Sequence, residues 1–127
     1  MTSEQSREPF RRALASLHAL DQVPVNDILR DAWIQRFEYT IEAAWKATRK
    51  ALIDQNIEPK SPREAFRMAG QMGLIDYVAL WLNFLDKRNL TVHAYNEAVA
   101  VDVFSIRESF AKAADELLAT LAKLEPH

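Results

Sequence analysis

The chain of 127 residues contains no cysteine and only two glycines, Gly70 and Gly73. Without cysteine it can form neither a disulfide nor a cysteine-ligated zinc site, and it cannot use a thiolate as a nucleophile. A fold rich in β-turns needs more glycine than this, whereas long helices joined by short turns need little. The scarcity of both residue types therefore favours an all-helical fold.

Long apolar runs are also missing. No run approaches the ~18 apolar residues that a membrane span requires, and residues 1–12 are polar and charged, without the apolar core of a secretion signal. The net charge of −2 argues against a dedicated nucleic-acid-binding protein, which is usually basic. We therefore expect a cytoplasmic protein, without membrane association, for which RNA is at most a transient substrate.

The apolar periodicity predicts five helices in a single domain over residues 1–127, with its core between about residues 8 and 124. The clearest helix start is a capping box at Ser61-Pro62-Arg63-Glu64. Five helices with short connections fold most simply as an antiparallel bundle. The predicted helices cover approximately residues 8–21, 26–55, 61 to 70 or 73, 76–87 and 96–124.

Several aromatic side chains bear on how the bundle packs. Trp45 lies on the apolar stripe of the second predicted helix and is expected in the core, whereas four others fall partly off the stripes: Trp33, Tyr39, Tyr77 and Trp81. Aromatic side chains in such positions form either the edge of the bundle or the face of a dimer. The sequence leaves both alternatives open, although small bundles with surplus apolar surface often form two-fold dimers.

The most distinctive segment runs from Arg88 to Asn96 and reads Arg-Asn-Leu-Thr-Val-His-Ala-Tyr-Asn. The planar guanidinium of an arginine can hold a phosphate through two parallel hydrogen bonds. A histidine such as His93 can transfer protons near neutral pH. The two residue types together are the minimum needed to cleave a phosphodiester without a metal.

No metal or other cofactor is predicted. Glu38 and Glu42 are four residues apart on one predicted helix, which is a spacing found in metal-binding bundles. No histidine accompanies them at the spacing of a metal ligand, so the pair is better explained as part of a solvated helix face.

The geometry of the Arg88–Asn96 segment is informative as well. In a regular helix Arg88 and His93 would project about 140° apart, and His93 and Tyr95 about 160° apart. The side chains converge better if residues 88–91 form a turn and His93 lies in the first turn of the fifth helix. A two-fold dimer offers a second route to a complete site, because one histidine can act as the base and the other as the acid. The structural alternative is a capping or half-buried His93, an Arg88 that favours the helix dipole, and a core Tyr95.

The chain resembles the HEPN-domain family, and within it the HepT-like branch of nucleotidyltransferase substrate-binding proteins. Arg88, His93 and Tyr95 stand at the spacing of the family motif. Residues 34–46, Ser61–Glu64 and Gly73–Asp76 resemble further landmarks of that branch, in the same order. The resemblance covers residues 10 to 124, which is nearly the whole chain.

The resemblance implies an antiparallel four- or five-helix bundle that forms a homodimer through the face carrying the motif. It also implies a partner, a minimal nucleotidyltransferase encoded nearby. In the toxin branch the HEPN protein is a metal-independent ribonuclease, and the nucleotidyltransferase is an antitoxin that transfers AMP to the motif tyrosine. Matched residue by residue, Arg88 and His93 would be catalytic, Asn89 would orient the phosphate or Arg88, and Tyr95 would be the modified residue.

Three functions stay open from the sequence. The first is a ribonuclease toxin with a composite site at the dimer interface. The second is a non-catalytic subunit that binds a nucleotide or substrate for the partner transferase. The third is a structural bundle in which the motif is inert. The chain is not the transferase itself, because it contains neither the Gly-Ser nor the Asp-x-Asp that such an enzyme needs.

Overall fold

The computed structural model describes residues 3–124, so residues 1, 2 and 125–127 of the predicted domain, His127 among them, lie outside the described residues. Over the described range the chain is helical, with no strand, which confirms the predicted all-α bundle. A 3-10 turn at Thr91–His93 interrupts a series of six helices. These are α1 (Ser3–His18), α2 (Asp27–Ile53), α3 (Pro62–Gln71), α4 (Val78–Leu90), α5 (Glu97–Phe104) and α6 (Arg107–Lys123).

The helices α1 and α2 run antiparallel, and so do α3 and α4. Ser16, near the end of α1, contacts α2 through Tyr39 Oη and through Arg36, whose Nη1 donates to the Ser16 carbonyl at 2.6 Å. The helices α3 and α4 are joined near the start of α3 by an ion pair of 2.8 Å between Arg63 and Asp86. Within residues 3–124, none of the helices is long and apolar enough to cross a membrane.

The predicted fifth helix is wrong in one respect, since it is divided into α5 and α6. The break lies at Ser105 and Ile106, where the Ser105 hydroxyl donates to the Asp102 carbonyl at 2.5 Å. Serine side chains that bond to nearby backbone carbonyls compete with the helical ladder. The apolar stripe continues through the break, because Val103, Ile106 and Phe110 are all buried. Periodicity alone therefore predicts one helix.

The start of α3 agrees with the sequence, whereas α1 begins at Ser3, five residues before the predicted start. Ser61 caps α3 as predicted, since its hydroxyl accepts from the Glu64 N–H at 3.1 Å. Gly73 follows α3 with φ of 76°, a left-handed conformation that favours glycine. Gly70 is needed for a different reason, because a Cβ there would lie 2.1 Å from Val78 Cγ2. The two glycines of the chain thus bring α3 and α4 close together.

An aromatic cluster forms the core. Phe110 packs edge-to-face against Phe37 and Phe84, with ring centroids 4.8 Å and 5.1 Å away. Trp33 and Trp81 also pack edge-to-face on Phe110 and are almost fully buried. Each such pair contributes about 0.5–1.5 kcal/mol beyond the area that it buries.

The predicted positions of three tryptophans differ from the observed ones. The placement of Trp33 and Trp81 at an edge or a dimer face is wrong, because the break after α5 and the crossing of α3 and α4 enclose both rings. Trp45, expected in the core, is only half-buried. Tyr39 and Tyr77 are exposed.

His18 ties the end of α1 to α6. Its Nδ1 lies 2.7 Å from Asp21 Oδ2, and its Nε2 lies 2.9 Å from Asp115 Oδ1. The hydrogen bonds that His18 donates to Asp21 and, second, to Asp115 raise the pKa of His18 above its ordinary value of 6.5. The protonated imidazole therefore bridges two carboxylates on different elements.

We expect His18→Gln to destabilise the protein at acidic pH and to have less effect at alkaline pH. A raised folded-state pKa means that the stabilisation is fully present below the unfolded-state pKa and is lost as the pH rises through the folded-state pKa. The site is partly exposed, so the loss should be within about 0.2–1 kcal/mol. Thermal unfolding of both proteins at about pH 5.5 and about pH 8.5 measures it. An equal difference in Tm at both pH values would contradict this role.

Candidate functional site

Arg88 continues the buried face of α4. Trp81, Phe84 and Leu85 are buried on that face, and Arg88 follows Phe84 by four residues and Leu85 by three. Its side chain is consequently half-buried. The Arg88 carbonyl accepts both from the backbone N–H of Thr91 and from the Thr91 hydroxyl at 2.7 Å, and this fixes the end of the helix.

The 3-10 turn that carries His93 is held on both sides. The Ala94 N–H donates to the Thr91 carbonyl at 3.1 Å, and the Asn96 N–H donates to the His93 carbonyl at 2.9 Å. Asn96 then caps α5, since its side chain accepts from the Val99 N–H at 3.3 Å. The arrangement with a turn at 88–91 and His93 in the fifth helix does not occur, because α4 continues through Leu90 and α5 begins at Glu97.

The turn brings His93 and Tyr95 together on the surface. Their ring centroids are 6.2 Å apart and the ring planes meet at 69°. Both side chains are exposed, Tyr95 with 86% of its surface. A core Tyr95 and a half-buried His93, two parts of the structural alternative, are therefore excluded, whereas its third part, an Arg88 that favours the helix dipole, fits the last turn of α4. As expected, the segment departs from a regular helix, although at a different place from the one predicted.

Among residues 3–124, Arg88 has no anionic partner. Its Nε is buried without a hydrogen-bond acceptor, and within residues 3–124 no carboxylate forms an ion pair with it. The adjacent Lys87, by contrast, forms an ion pair of 2.7 Å with Asp102. A half-buried guanidinium without a partner is costly, and a bound anion is one explanation for such a group. Asn89, in the same turn of α4, is exposed and available to the same ligand.

Sequence reasoning missed a second arginine, Arg30 of α2. Its side chain is only 15% exposed, and its Nε is likewise buried without a partner. Its terminal nitrogens lie 3.8 Å from Asp27 and 3.8 Å from Glu97, the first residue of α5. The available signal was its place directly after Leu29 and three residues before Trp33, both of which are buried.

The four predicted site residues line neither of two well-formed clefts. A cleft of about 560 Å³ lies between the end of α1 and α6, beside His18 and Asp115. A second, of about 300 Å³, lies between the loop before α4 and α6, beside Tyr77 and Lys112. The motif instead occupies open surface, where a second protein or a second copy can complete a site.

Within the described residues, no three side chains of the metal-binding types are grouped so that they could hold an ion. Glu42, one of the two glutamates considered above, pairs with Lys46 at 3.4 Å. The expectation that the chemistry needs no metal stays a prediction.

Comparisons with known proteins agree with the fold. Residues 5–123 match a family described as nucleotidyltransferase substrate binding protein like. A solved structure from Thermus thermophilus is 38% identical and superimposes with a TM-score of 0.83, over 88% of this chain and 98% of that one. A Haemophilus influenzae protein, described as having the fold of a substrate binding domain of a nucleotidyltransferase, is 25% identical with a TM-score of 0.68 over 94% and 96% of the two chains.

Two further relatives carry functional names. A chain of a mutant MntA-HpeT toxin-antitoxin structure superimposes with a TM-score of 0.79 over 95% of this chain and 97% of that one, but at 16% identity the likeness concerns the fold alone. A Haemophilus influenzae protein named as a probable ribonuclease HepT is 29% identical over 91 residues. That match covers 68% of this chain and 62% of the length of the relative.

Proposed function

Because this chain belongs to the family of nucleotidyltransferase substrate-binding-like proteins, we propose that it is the HEPN component of a toxin–antitoxin pair and a metal-independent endoribonuclease. Its partner would be a minimal nucleotidyltransferase. The names of the relatives support a pair of this kind. The observation that carries the proposal is the half-buried, unpaired guanidinium of Arg88 at the base of the turn that exposes His93.

In this mechanism His93 acts on the ribose. One of its ring nitrogens takes the proton of the 2′-hydroxyl, and the 2′-oxygen attacks the adjacent phosphorus. Arg88 stabilises the charge that develops on the phosphorane oxygens, and the amide of Asn89 orients the phosphate. The bond from phosphorus to the 5′-oxygen breaks, and that oxygen takes a proton from His93 of a second copy of the chain. The products are a 2′,3′-cyclic phosphate and a 5′-hydroxyl.

A homodimer through the motif face supplies the second histidine. Leu90 and Val92 are apolar side chains exposed on either side of the start of the turn that carries His93. Exposed apolar groups clustered in this way favour association with another surface. A two-fold axis near the turn would place two copies of the Arg88–His93 pair opposite each other.

The test of the proposal is cleavage of a mixed single-stranded RNA by the purified protein in excess EDTA. We expect cleavage, with 2′,3′-cyclic phosphate ends that resist a phosphomonoesterase until acid or a cyclic phosphodiesterase opens the ring. Intact mass must first establish that Tyr95 is unmodified. No cleavage by an unmodified, folded dimer would contradict the ribonuclease assignment.

A second function, a non-catalytic subunit that binds a nucleotide for the partner transferase, is favoured by the family description. The same unpaired Arg88 would then hold a phosphate without cleaving the chain. Expression of the chain alone separates the two functions, because a toxin arrests growth whereas a binding subunit does not. Growth arrest that requires His93 supports the first.

Tyr95 is the proposed target of AMP transfer by the partner. Its hydroxyl is accessible beside His93, so an attached AMP would place bulk and negative charge where the RNA backbone must bind. After co-expression with the nucleotidyltransferase, we expect intact mass to increase by one or more adenylyl groups and RNA cleavage to stop. The variant Tyr95→Phe should keep both the unmodified mass and the cleavage.

The matched control for this prediction is Tyr77→Phe. Tyr77 is a tyrosine of comparable exposure, 70%, at the start of α4 and away from the motif. This variant should be modified and silenced like the wild type. Modification that persists in Tyr95→Phe and disappears in Tyr77→Phe would identify Tyr77 as the target and contradict the proposed role of Tyr95.

A further inference from the structure

We propose that Arg30 is a second phosphate-binding residue of the Arg88–His93 site. The preferred substrate would then carry at least two consecutive phosphates, as a single-stranded polyribonucleotide does. This inference rests on the proposed ribonuclease function, and it adds a residue from α2 that lies outside the motif.

Arg30 and Arg88 share an unusual feature, a buried donor without an acceptor. Within residues 3–124, the buried side-chain nitrogen and oxygen atoms without a hydrogen-bond partner are two, Arg30 Nε and Arg88 Nε. Buried polar groups in native proteins are nearly always paired, so each exception needs an explanation, and an absent ligand is one. Both exceptions belong to guanidinium groups, which bind phosphate, and a ligand would bind at their terminal nitrogens because the Nε atoms themselves are buried.

Arg30 lies beside the chain that leaves the motif. Arg30 Nη1 lies 3.8 Å from Glu97 Oε1, and Glu97 follows Tyr95 by two residues. Two residues of extended chain span at most about 7 Å. Arg30 therefore reaches the chain directly after the exposed His93–Tyr95 pair, and Arg88 lies directly before the turn that carries His93. Along the chain, the turn therefore lies between Arg88 and Glu97, the residue that Arg30 contacts.

The two carboxylates near Arg30 are only loosely paired with it. Asp27 and Glu97 attract its guanidinium, but at 3.8 Å each lies beyond the usual length of a hydrogen bond. Both carboxylates are largely exposed, with 83% and 77% of their side chains accessible. A phosphate could replace this loose arrangement with short, charge-assisted hydrogen bonds. The competing explanation is that Arg30 only tethers α2 to α5 through Glu97.

Two short substrates separate these explanations. A dinucleoside monophosphate such as UpA has one phosphate, and a trinucleoside diphosphate such as UpApA has two. We expect Arg30→Gln to lower kcat/KM for the longer substrate about tenfold or more, because a charge-assisted contact is lost. Cleavage of the shorter substrate should change less than about twofold. It also serves as an internal control for folding.

The matched control is Glu97→Gln, which removes the tether and keeps the guanidinium. If Arg30 binds phosphate, this variant should cleave the longer substrate at least as well as the wild type. If Arg30 is only a tether, Glu97→Gln and Arg30→Gln should behave alike. Arg30→Lys should restore part of the preference for the longer substrate, since it keeps the charge without the planar fork.

An equal loss on both substrates, or a loss on neither, overturns the role of Arg30 and leaves the ribonuclease intact. If the wild type cleaves neither substrate, the proposed function fails first. Calorimetric titration of UpApA into the wild type and into Arg30→Gln then tests whether Arg30 binds a phosphate. Weaker binding by the variant, with a shallower salt dependence, supports the second phosphate contact, whereas equal binding or no binding to either overturns it.

Discussion

Replacing His93 by alanine is expected to lower RNA cleavage in EDTA by about 10²- to 10⁴-fold, because the reaction loses its general base. In a dimer the substitution also removes the general acid. His93 is exposed in the 3-10 turn, which backbone hydrogen bonds hold in place, so the fold should persist. The initial cleavage rate measures the effect, and thermal unfolding should change by less than about 0.5 kcal/mol.

The other described histidine provides the control. His18 is bound by two carboxylates between α1 and α6 and does not belong to the motif. The variant His18→Gln should lose a little stability and keep full cleavage. Wild-type rates in His93→Ala would refute the assigned chemistry. Loss of cleavage in both variants would point to the fold instead.

The fold was largely predictable because helices leave a periodic record in the sequence. Apolar spacing located every helical segment, and the capping box located the start of α3. The division between α5 and α6 left no such record, since buried residues continue in phase across it. The places of Trp33 and Trp81 were also missed, because helix crossings rather than helix periodicity enclose those rings.

The candidate site was likewise predictable only in part. Its motif lies within one short segment, so spacing alone could identify Arg88, Asn89, His93 and Tyr95 as a group. The local geometry was harder to predict, because the 3-10 turn depends on the side chain of Thr91 bonding back to Arg88. Arg30 lies far away in sequence, and only the packing of α2 on α5 brings it to the motif. Its place beside the buried Leu29 indicated that Arg30 is partly buried, but no local pattern indicated that the motif is its neighbour.

The unpaired charge of Arg88 creates a conflict between stability and function. A buried donor without an acceptor costs about 1–3 kcal/mol, and a half-buried group should be at the lower end of that range. Such a cost is tolerated where a ligand later supplies the acceptor. In contrast, the ammonium of Lys87 already has its acceptor in Asp102. Neighbouring cations in one helical turn should therefore respond to substitution in opposite ways.

We expect Arg88→Met to lower cleavage by about 10²- to 10³-fold while it leaves the stability unchanged or raises it by up to about 1 kcal/mol. The loss of activity follows from the loss of stabilisation at the phosphorane, and the gain in stability follows from the removal of an unpaired, half-buried charge. Lys87→Met should do the reverse, with cleavage retained and about 0.2–1 kcal/mol of stability lost with its ion pair. Cleavage assays and thermal unfolding of both variants measure the two effects separately. If Arg88→Met destabilises the protein as much as Lys87→Met or more, Arg88 is a structural residue, and the argument for an anion at this site fails.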